Sequence, residues 1–229
     1  MEEHWSSRTE RLVGAEAMER MARARVLLFG VGGVGSWCAE ALVRGGIGHL
    51  SLVDPDCVET ININRQLPAL HSTVGRPKVE VMRERLLDIN PEADIVARQE
   101  RFTRETSDSF CLQDYDYVID AIDSLKDKHD LIVETCRVTA LLSSMGAARK
   151  MDPRQVRVSE FWKVDGCPLA ASLRKRMRRE QRFPARKFKC VWSPERMDNA
   201  QPGGTSVAVT ASFGLTLASL VLQDLAKQR

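Results

Sequence analysis

Residues 26–36 read Val-Leu-Leu-Phe-Gly-Val-Gly-Gly-Val-Gly-Ser, an apolar run that leads directly into a turn with four glycines. Glycine lets the backbone come close to a neighbouring group, and a helix that begins at such a turn points its free N–H groups at phosphate. A tight strand-to-helix turn without a ligand is the alternative for these glycines taken alone. The stretch predicts the strand, turn and helix that open a nucleotide-binding α/β fold.

An aspartate follows the second apolar run of the chain. Asp54 comes directly after residues 50–53 and lies nineteen positions after Gly35. In dinucleotide-binding folds, an acidic residue at about this spacing binds the ribose hydroxyls from the carboxyl end of the second strand. Its presence favours nucleotide binding over a purely structural turn.

Two cations and a later aspartate favour a nucleoside triphosphate over NAD. Arg65 follows Asp54, Lys78 stands at a predicted helix start, and Asp123 follows an apolar run at 117–119. Arginine and lysine together can neutralise different parts of a pyrophosphate group, and a carboxylate at a strand end suits Mg²⁺. Each charge alone is ordinary on a solvated surface, but their joint occurrence in this order predicts ATP and Mg²⁺ as ligands.

This ordered set of motifs resembles the ubiquitin-activating-enzyme-like adenylyltransferases, the ThiF/MoeB/HesA group. The motifs that carry the resemblance are the glycine turn, Asp54-x-Asp56, Asn62-x-Asn-Arg65-Gln66, Pro77-Lys78 and Asp120-Ala-Ile-Asp123. Within this group, the amino-acid sequence at residues 34–37, 46–48, 89–91 and 117–124 is similar to that of the TcdA branch, the tRNA threonylcarbamoyladenosine dehydratases.

The resemblance implies a set of nucleotide-binding residues, with phosphate contacts from Asn62, Arg65 and Lys78 and a Mg²⁺ contact from Asp123. The residues that it assigns to nucleotide binding are Gly30, Gly32, Gly33, Gly35, Asp54, Asp56, Asn62, Arg65, Lys78 and Asp123. It further implies a homodimer, because relatives use an arginine near the amino terminus that reaches into the neighbouring subunit's site. Arg11 fits that role best, and Arg8 is the alternative.

The activity implied by the resemblance is activation of a carboxylate by ATP as an acyl-adenylate, with loss of pyrophosphate. In the dehydratase branch the carboxylate belongs to threonylcarbamoyladenosine in tRNA, and an intramolecular nitrogen then closes a ring and releases AMP. Because an acyl-adenylate has a stabilised phosphate as leaving group, the protein's task is charge neutralisation and positioning. The alternatives are an adenylyltransferase for the carboxyl-terminal Gly-Gly of a ubiquitin-like sulfur-carrier protein, and a nucleotide-binding module without turnover.

The six cysteines are scattered and include no Cys-x-x-Cys pair, so we predict no zinc site, unlike MoeB and ThiF relatives. With no signal peptide, free thiols in a reducing cytoplasm are the simplest expectation. Cys190 has two interpretations. Flanking cations would favour a catalytic nucleophile or persulfide carrier, which leaves a cysteine-desulfurase partner open; the alternative is a cysteine buried in a short strand.

Length and composition predict one domain over residues 1–229, since 229 residues with 43% hydrophobic content can bury a sizeable core. The expected fold is Rossmann-like: a mostly parallel sheet with helices on both faces and antiparallel additions near the carboxyl terminus. Strands are predicted at 26–29, 50–53, 95–97, 117–119 and 140–143, with additions at 156–158 and 189–192, and helices at 37–44, 78–87 and 126–138.

An apolar segment spans residues 207–222. Because sixteen residues are few for a membrane span and polar residues interrupt them, we expect a buried or dimer-facing helix and no membrane association. The preceding residues 201–206 are predicted to form a loop, and the resemblance leaves open a monovalent-cation site in this region.

A basic segment at about 172–190 holds nine Lys or Arg between residues 174 and 189, against one glutamate. Such density favours binding to an RNA backbone. The residues predicted to bind tRNA are Arg174, Lys175, Arg176, Arg178 and Arg179. Phe183 and Phe188 could stack on bases, and a solvated helix is the alternative for the whole segment.

Overall fold

The structure is a computed structural model that describes residues 3–197 and 203–227. Its seven strands are β1 (Arg25–Phe29), β2 (His49–Val53), β3 (Asp94–Arg98), β4 (Tyr117–Asp120), β5 (Ala140–Ser144), β6 (Arg157–Glu160) and β7 (Lys189–Trp192). Its α-helices are α1 (Ser7–Val13), α2 (Ala15–Arg23), α3 (Gly35–Arg44), α4 (Lys78–Ile89), α5 (Leu125–Val138), α6 (Pro168–Glu180) and α7 (Val207–Lys227).

All seven strands form one sheet in the order β3-β2-β1-β4-β5-β7-β6. β1 lies between β2 and β4 and is parallel to both, with Leu28 opposite Leu52 on one side and Ile119 on the other. The predicted Rossmann-like fold is confirmed. β6 is antiparallel to β7 as expected for an addition, whereas β7 itself is parallel to β5.

The sheet is covered on both faces. Val26 and Leu28 of β1 belong to the core beneath α3, α4 and α7, while Leu27 and Phe29 belong to the core beneath α5 and α6. Side chains of a strand alternate between faces, so a strand that is buried on both sides carries an unbroken apolar run. This explains why the run before the glycine turn has no polar interruption.

The apolar segment at 207–222 forms most of α7, which continues to Lys227. At 21 residues, α7 is long and apolar enough by length and composition to cross a membrane. Its buried residues, among them Phe213, Gly214 and Leu217, pack in the core against α3, as expected for a core helix. The loop before α7 is described from Gly203 onward, so residues 201 and 202 of the predicted loop lie outside the described part.

Gly214 sets how closely α7 approaches α3. A Cβ atom at this position would lie 2.3 Å from the carbonyl oxygen of Val34 and 2.9 Å from the amide nitrogen of Cys38. Real Cβ atoms do not come this close to backbone, so a side chain would force the two helices apart.

We predict that Gly214→Ala destabilises the protein, because the added methyl group overpacks the α3–α7 contact by about 1–3 kcal/mol. Thermal unfolding should show a lower Tm, by about 2–4 °C per kcal/mol for a chain of this size. Gly146→Ala is the matched control, since a Cβ there meets its nearest neighbour, Leu169, at an ordinary 3.5 Å. Equal Tm values for the two variants would contradict this role of Gly214.

Candidate active site

A cavity of about 490 Å³ opens at the carboxyl ends of β1, β2 and β4. Going along the chain, β2 and β3 are added on one side of β1, and β4 then pairs with the other side of β1. The strand order therefore changes direction at β1. Open α/β sheets bind their ligands at such a switch point. The cavity therefore lies where the fold itself favours a ligand.

The glycine turn forms the floor of this cavity, and its members differ in role. Gly30, Gly32 and Gly33 line the cavity. Gly30 has φ +87°, and a Cβ there would lie 2.7 Å from the carbonyl oxygen of Ala121. Gly35 lies beneath the turn, where a Cβ would be 1.8 Å from the carbonyl oxygen of Gly30. Side chains at 30 and 35 are thus excluded by backbone, which leaves the turn open to a bound group.

Asp54 lies beside the turn at the end of β2 and is 6% exposed. Its carboxylate accepts hydrogen bonds from the amides of Val31 at 2.6 Å and Asp56 at 2.9 Å. Burial raises the pKa of this carboxyl, against the opposing effects of Lys78 and the two amides. The side chain is held rigidly in the cavity wall, where it can accept further hydrogen bonds from hydroxyl groups.

Both predicted phosphate-binding cations line the cavity. Lys78 begins α4 and is 5% exposed, and its Nζ lies 2.9 Å from Oδ2 of Asp56. Arg65 donates from Nη1 to Oδ1 of Asn64 at 2.8 Å. The indole of Trp37 donates to the carbonyl of Arg65 at 3.1 Å and thereby ties the arginine backbone to α3.

Asn62 was predicted to contact phosphate, but it does not line the described part of the cavity. Its Oδ1 instead accepts a hydrogen bond from the amide of Glu59 at 3.1 Å, where it caps the short 3-10 helix Thr60–Asn62. The side chain is used to shape the segment that presents Arg65. Asn62 therefore has a structural role here through Oδ1, and its contact with phosphate stays a prediction.

Gln66 lines the cavity and was not among the predicted site residues. It is 7% exposed, and its Oε1 has no hydrogen-bond partner among the described residues. A buried amide oxygen without a partner is costly, so it points to a donor supplied by a ligand. Its position directly after Arg65 was the sequence signal that could have identified it.

Asp123 lines the cavity as an exposed carboxylate after β4. Asp127 also lines it but is bound by Arg101 at 2.8 Å. In the described ranges, no group of three His, Cys, Asp or Glu side chains is placed to hold a metal ion. Mg²⁺ commonly binds through one or two carboxylates together with substrate phosphates and water, so Asp123 fits such an ion only when phosphate is present.

A buried polar network fixes the loop that carries Asp123, and sequence reasoning did not identify it. Lys128 and Asp120 both have fully buried side chains, and Nζ lies 2.8 Å from Oδ2. Nζ also donates to the carbonyl of Ile122 at 2.8 Å, while Ser143 donates to the same Asp120 oxygen at 2.6 Å. Each buried charge is therefore compensated, and the turn after β4 is held on two sides.

Cys190 lies in β7, fully buried, opposite Ser143 of β5. Burial raises the pKa of its thiol well above the ordinary value, more than the nearby Lys128 lowers it. The expectation that flanking cations favour the thiolate is therefore wrong, since Lys189 points to the exposed side of the strand. The alternative interpretation, a core cysteine in a short strand, matches this geometry.

Arg11 lies on α1, where its side chain is 66% exposed and pairs with Glu3 at 2.8 Å. It does not line the described cavity of its own chain. If Arg11 acts in catalysis, it must do so in the cavity of another subunit.

Three of the five residues predicted to bind tRNA have partners within the fold, one of them being Arg179, which pairs with Glu180 at 3.1 Å. Arg174 donates to the carbonyls of Phe161 and Val164, and Arg176 pairs with Glu180 at 2.9 Å and contacts His129. Both are only partly exposed, and their binding to RNA stays a prediction. Lys175, Arg178 and Arg179 are exposed on α6. The expectation that Phe188 stacks on bases is wrong, because its ring is 4% exposed.

The residues and geometry described above agree with one protein family. A profile of the ThiF family matches residues 6–225. The chain belongs to the ThiF family. Over 178 residues, this ThiF-family chain is 45% identical to the tRNA threonylcarbamoyladenosine dehydratase of Bacillus subtilis, covering 77% of the chain and 70% of that relative. The resemblance inferred from the motifs is confirmed.

A solved structure in the family holds the nucleotide. The Escherichia coli tRNA N6-threonylcarbamoyladenosine dehydratase TcdA in complex with ATP matches with a TM-score of 0.89 at 38% identity, covering 96% of this chain and 93% of that one. The sulfur carrier protein adenylyltransferase of Thermus thermophilus is 37% identical over 117 residues, which covers 51% of this chain and 43% of the relative. The likeness to the dehydratases thus extends over far more of the ThiF-family chain.

We predict that Lys128→Met destabilises the fold by about 3–5 kcal/mol, because it leaves Asp120 buried without its cation. The double variant Asp120→Asn with Lys128→Met removes both charges and should recover at least half of this loss. Denaturant unfolding of the three proteins measures the effect. A single variant as stable as the parent would show that the pair does not hold the loop.

Proposed function

We propose that this chain is an ATP-dependent enzyme that cyclises threonylcarbamoyladenosine in tRNA with loss of water. The observation that carries the proposal is the cavity itself, in which the glycine turn, Asp54, Arg65 and Lys78 face one space. The near full-length similarity to tRNA threonylcarbamoyladenosine dehydratases supports the choice of substrate. The proposal assigns this chemistry to one domain over residues 1–229.

Asp54, the glycine turn and Gln66 position ATP in the cavity. Asp54 accepts hydrogen bonds from the ribose hydroxyls with the lone pairs that its two backbone donors leave free. Gly30, Gly32 and Gly33 let the phosphates approach the backbone at the start of α3, whose positive end favours their charge. The amide oxygen of Gln66, which has no partner among the described residues, accepts a hydrogen bond from a donor group of the bound ligand.

Lys78, Arg65 and the Mg²⁺ held by Asp123 neutralise the charge of the triphosphate. Lys78 exchanges its contact with Asp56 for phosphate oxygens, a change that costs little because the Asp56 side chain is 65% exposed. Arg65 offers a planar fork for two phosphate oxygens. Asp123 would hold Mg²⁺, which supplies charge neutralisation of the phosphates when it is bound.

The reaction needs positioning more than acid–base groups. The threonyl carboxylate attacks the α-phosphate, and pyrophosphate leaves while Lys78 and Arg65 stabilise its charge. The substrate's own carbamoyl nitrogen then attacks the activated carbonyl carbon, and AMP leaves with one former carboxylate oxygen. Because the attacking nitrogen belongs to the same nucleoside, orientation in the cavity provides a large share of the rate enhancement.

The proposal includes a homodimer, Mg²⁺, tRNA and a cytoplasmic location. Arg11 completes the cavity of the partner subunit, and the six cysteines are free thiols, as expected in a reducing compartment. The exposed cations of α6, Lys175, Arg178 and Arg179, contact the tRNA backbone. No sulfur-transfer step is assigned to Cys190, because its thiol is buried.

Activation of a sulfur-carrier protein is the second candidate, supported by the match to the Thermus thermophilus adenylyltransferase over half of the chain. The two functions differ in the molecule that triggers AMP formation. Modified tRNA should trigger it in our proposal, and a protein with a carboxyl-terminal Gly-Gly should not.

We predict that Lys78→Ala lowers tRNA-dependent AMP formation about 10²-fold or more, since it removes a cation from the leaving pyrophosphate. Arg76→Ala is the matched control: Arg76 is a neighbouring cation that pairs with Glu84 and does not line the described cavity. Circular dichroism should show both variants folded. Full activity of Lys78→Ala would remove its assigned role.

We predict that Arg11→Ala and Lys78→Ala complement each other in mixed dimers. Each variant alone should lack activity, whereas a mixture restores one complete cavity in every heterodimer, for about a quarter of parental activity after statistical exchange. AMP formation after refolding the two proteins together measures this. Activity of the Arg11→Ala homodimer, or no recovery on mixing, would contradict the shared cavity.

A further inference from the structure

Two exposed aromatic rings neighbour each other on the surface beside α6. Trp162 and Phe183 are 41% and 44% exposed, and their ring centroids lie 6.5 Å apart with an interplanar angle of 38°. Neither ring is among the residues that form the two large cores or line the cavity. Single exposed apolar residues are ordinary, whereas two adjacent exposed rings offer a surface on which a planar ligand can stack.

The pair is held in place by a buried support. The ring of Phe161 is fully buried, meets Trp162 edge-on at 5.1 Å and stacks on Phe188 at 5.0 Å. Arg174 donates to the carbonyls of Phe161 and Val164 and so fastens the backbone on both sides of Trp162. A ligand that stacks on Trp162 would therefore spend little free energy on ordering the protein.

Three acidic groups near the rings are paired with arginine. Glu180 accepts from Arg176 at 2.9 Å and from Arg179 at 3.1 Å. Arg182, the residue before Phe183, pairs with two carboxylates of α5, at 2.5 and 2.8 Å. These partly buried ion pairs neutralise three carboxylates of this region.

Exposed cations lie close to the rings in sequence or on the adjoining helix α6. Lys163 follows Trp162 directly, and Arg178 lies in the last turn of α6. Neither side chain forms an ion pair within residues 3–197 and 203–227, and the same is true of Lys175 and Lys187. Two acids close to Trp162 in sequence form no ion pair in the described ranges: Oε1 of Glu160 accepts from the amide of Trp162, and Oδ1 of Asp165 accepts from the amide of Gly166. The four unpaired cations outnumber these two acids, so the segments that carry the rings keep a positive net charge.

We propose that Trp162, Phe183, Lys163 and Arg178 form a subsite for unpaired RNA, with bases stacked on the rings and phosphates on the cations. We call this set the basic–aromatic surface. Stacking on aromatic rings beside cations is the usual way to bind unpaired nucleotides. A protein partner is less favoured because the cations here are free and the patch is small.

The basic–aromatic surface is linked to the cavity by α6. Leu169, near the amino end of α6, lines the cavity, and Phe183 follows the carboxyl end of the same helix. Leu169 and Glu180 are eleven helical steps apart, about 16.5 Å at 1.5 Å per residue. An RNA loop with one nucleoside in the cavity can therefore place neighbouring bases on the rings. This placement rests on the proposed function.

The test uses the full-length chain and a fluorescein-labelled RNA stem–loop in anisotropy titrations. Trp162→Ala and Phe183→Leu should each weaken binding about 10-fold, with the slope of log Kd against log salt unchanged. The double variant Lys163→Gln with Arg178→Gln should reduce the magnitude of that slope by about two, one for each phosphate contact that is lost. RNA should quench tryptophan fluorescence in the parent, and Trp162→Ala should lose most of this quenching.

Trp5→Ala and Arg23→Gln are the matched controls, since Trp5 is 49% exposed and the Arg23 side chain 82% exposed, both at the amino-terminal end of the chain. They should leave Kd and salt slope at parental values. Parental RNA affinity for both ring variants, with native circular dichroism, would overturn the proposal. Equal losses in the Trp5→Ala control would overturn it as well, since the effect would not belong to this surface.

The failure of this inference can be told apart from failure of the proposed function. If the parent dehydrates tRNA and the ring variants keep the parental KM for tRNA, only the basic–aromatic surface is refuted. If the parent binds the stem–loop through the rings but forms no AMP with modified tRNA, the RNA subsite stands and the proposed reaction fails. Phe183→Leu keeps an apolar side chain, so we expect this variant to fold. It therefore tests the surface even if Trp162→Ala unfolds.

Discussion

The site depends on one backbone contact, the approach of Gly35 to Gly30. A side chain at either position would collide with a carbonyl oxygen, at 1.8 Å for Gly35 and 2.7 Å for Gly30. Because this contact brings the end of β1, the start of α3 and the end of β4 together, it also brings the amide of Val31 to Asp54 and the turn before Asp123 to the cavity. The shape of the turn and the positions of both carboxylates thus follow from a steric condition that glycine alone meets.

Features that depend on local sequence were predictable, and those that depend on partners from distant segments were not. The strands, the glycine turn and Asp54 follow from apolar runs and spacing, and the structure has each of them where the patterns placed them. The internal contacts of Arg174 and the burial of Cys190 could not be predicted, because a local motif does not reveal carbonyls beside Phe161 or burial in β7. Charge density alone likewise cannot separate α6 cations that pair within the fold from those that face solvent.

In our proposals, the chemistry and the recognition of the substrate use different parts of the molecule. The cavity at the sheet edge carries the groups for a nucleotide, and its loop after β4 is fixed by the buried pair Lys128 and Asp120. Recognition is assigned to α6 and the basic–aromatic surface, where partly buried arginines hold the support and exposed cations remain free. Because α6 starts at the cavity and ends at Glu180, three residues before Phe183, this helix would set the distance between the reacting nucleoside and the rest of the RNA in our proposal.

The most direct test of the central claim follows an oxygen atom. Modified tRNA labelled with ¹⁸O in the threonyl carboxylate is incubated with the enzyme, ATP and Mg²⁺, and both products are analysed by mass spectrometry. Activation as an acyl-adenylate predicts a nucleoside lighter by one water and AMP that carries one ¹⁸O atom, because the carboxylate oxygen leaves with the phosphate. An unchanged nucleoside, or AMP without the label, would contradict the account.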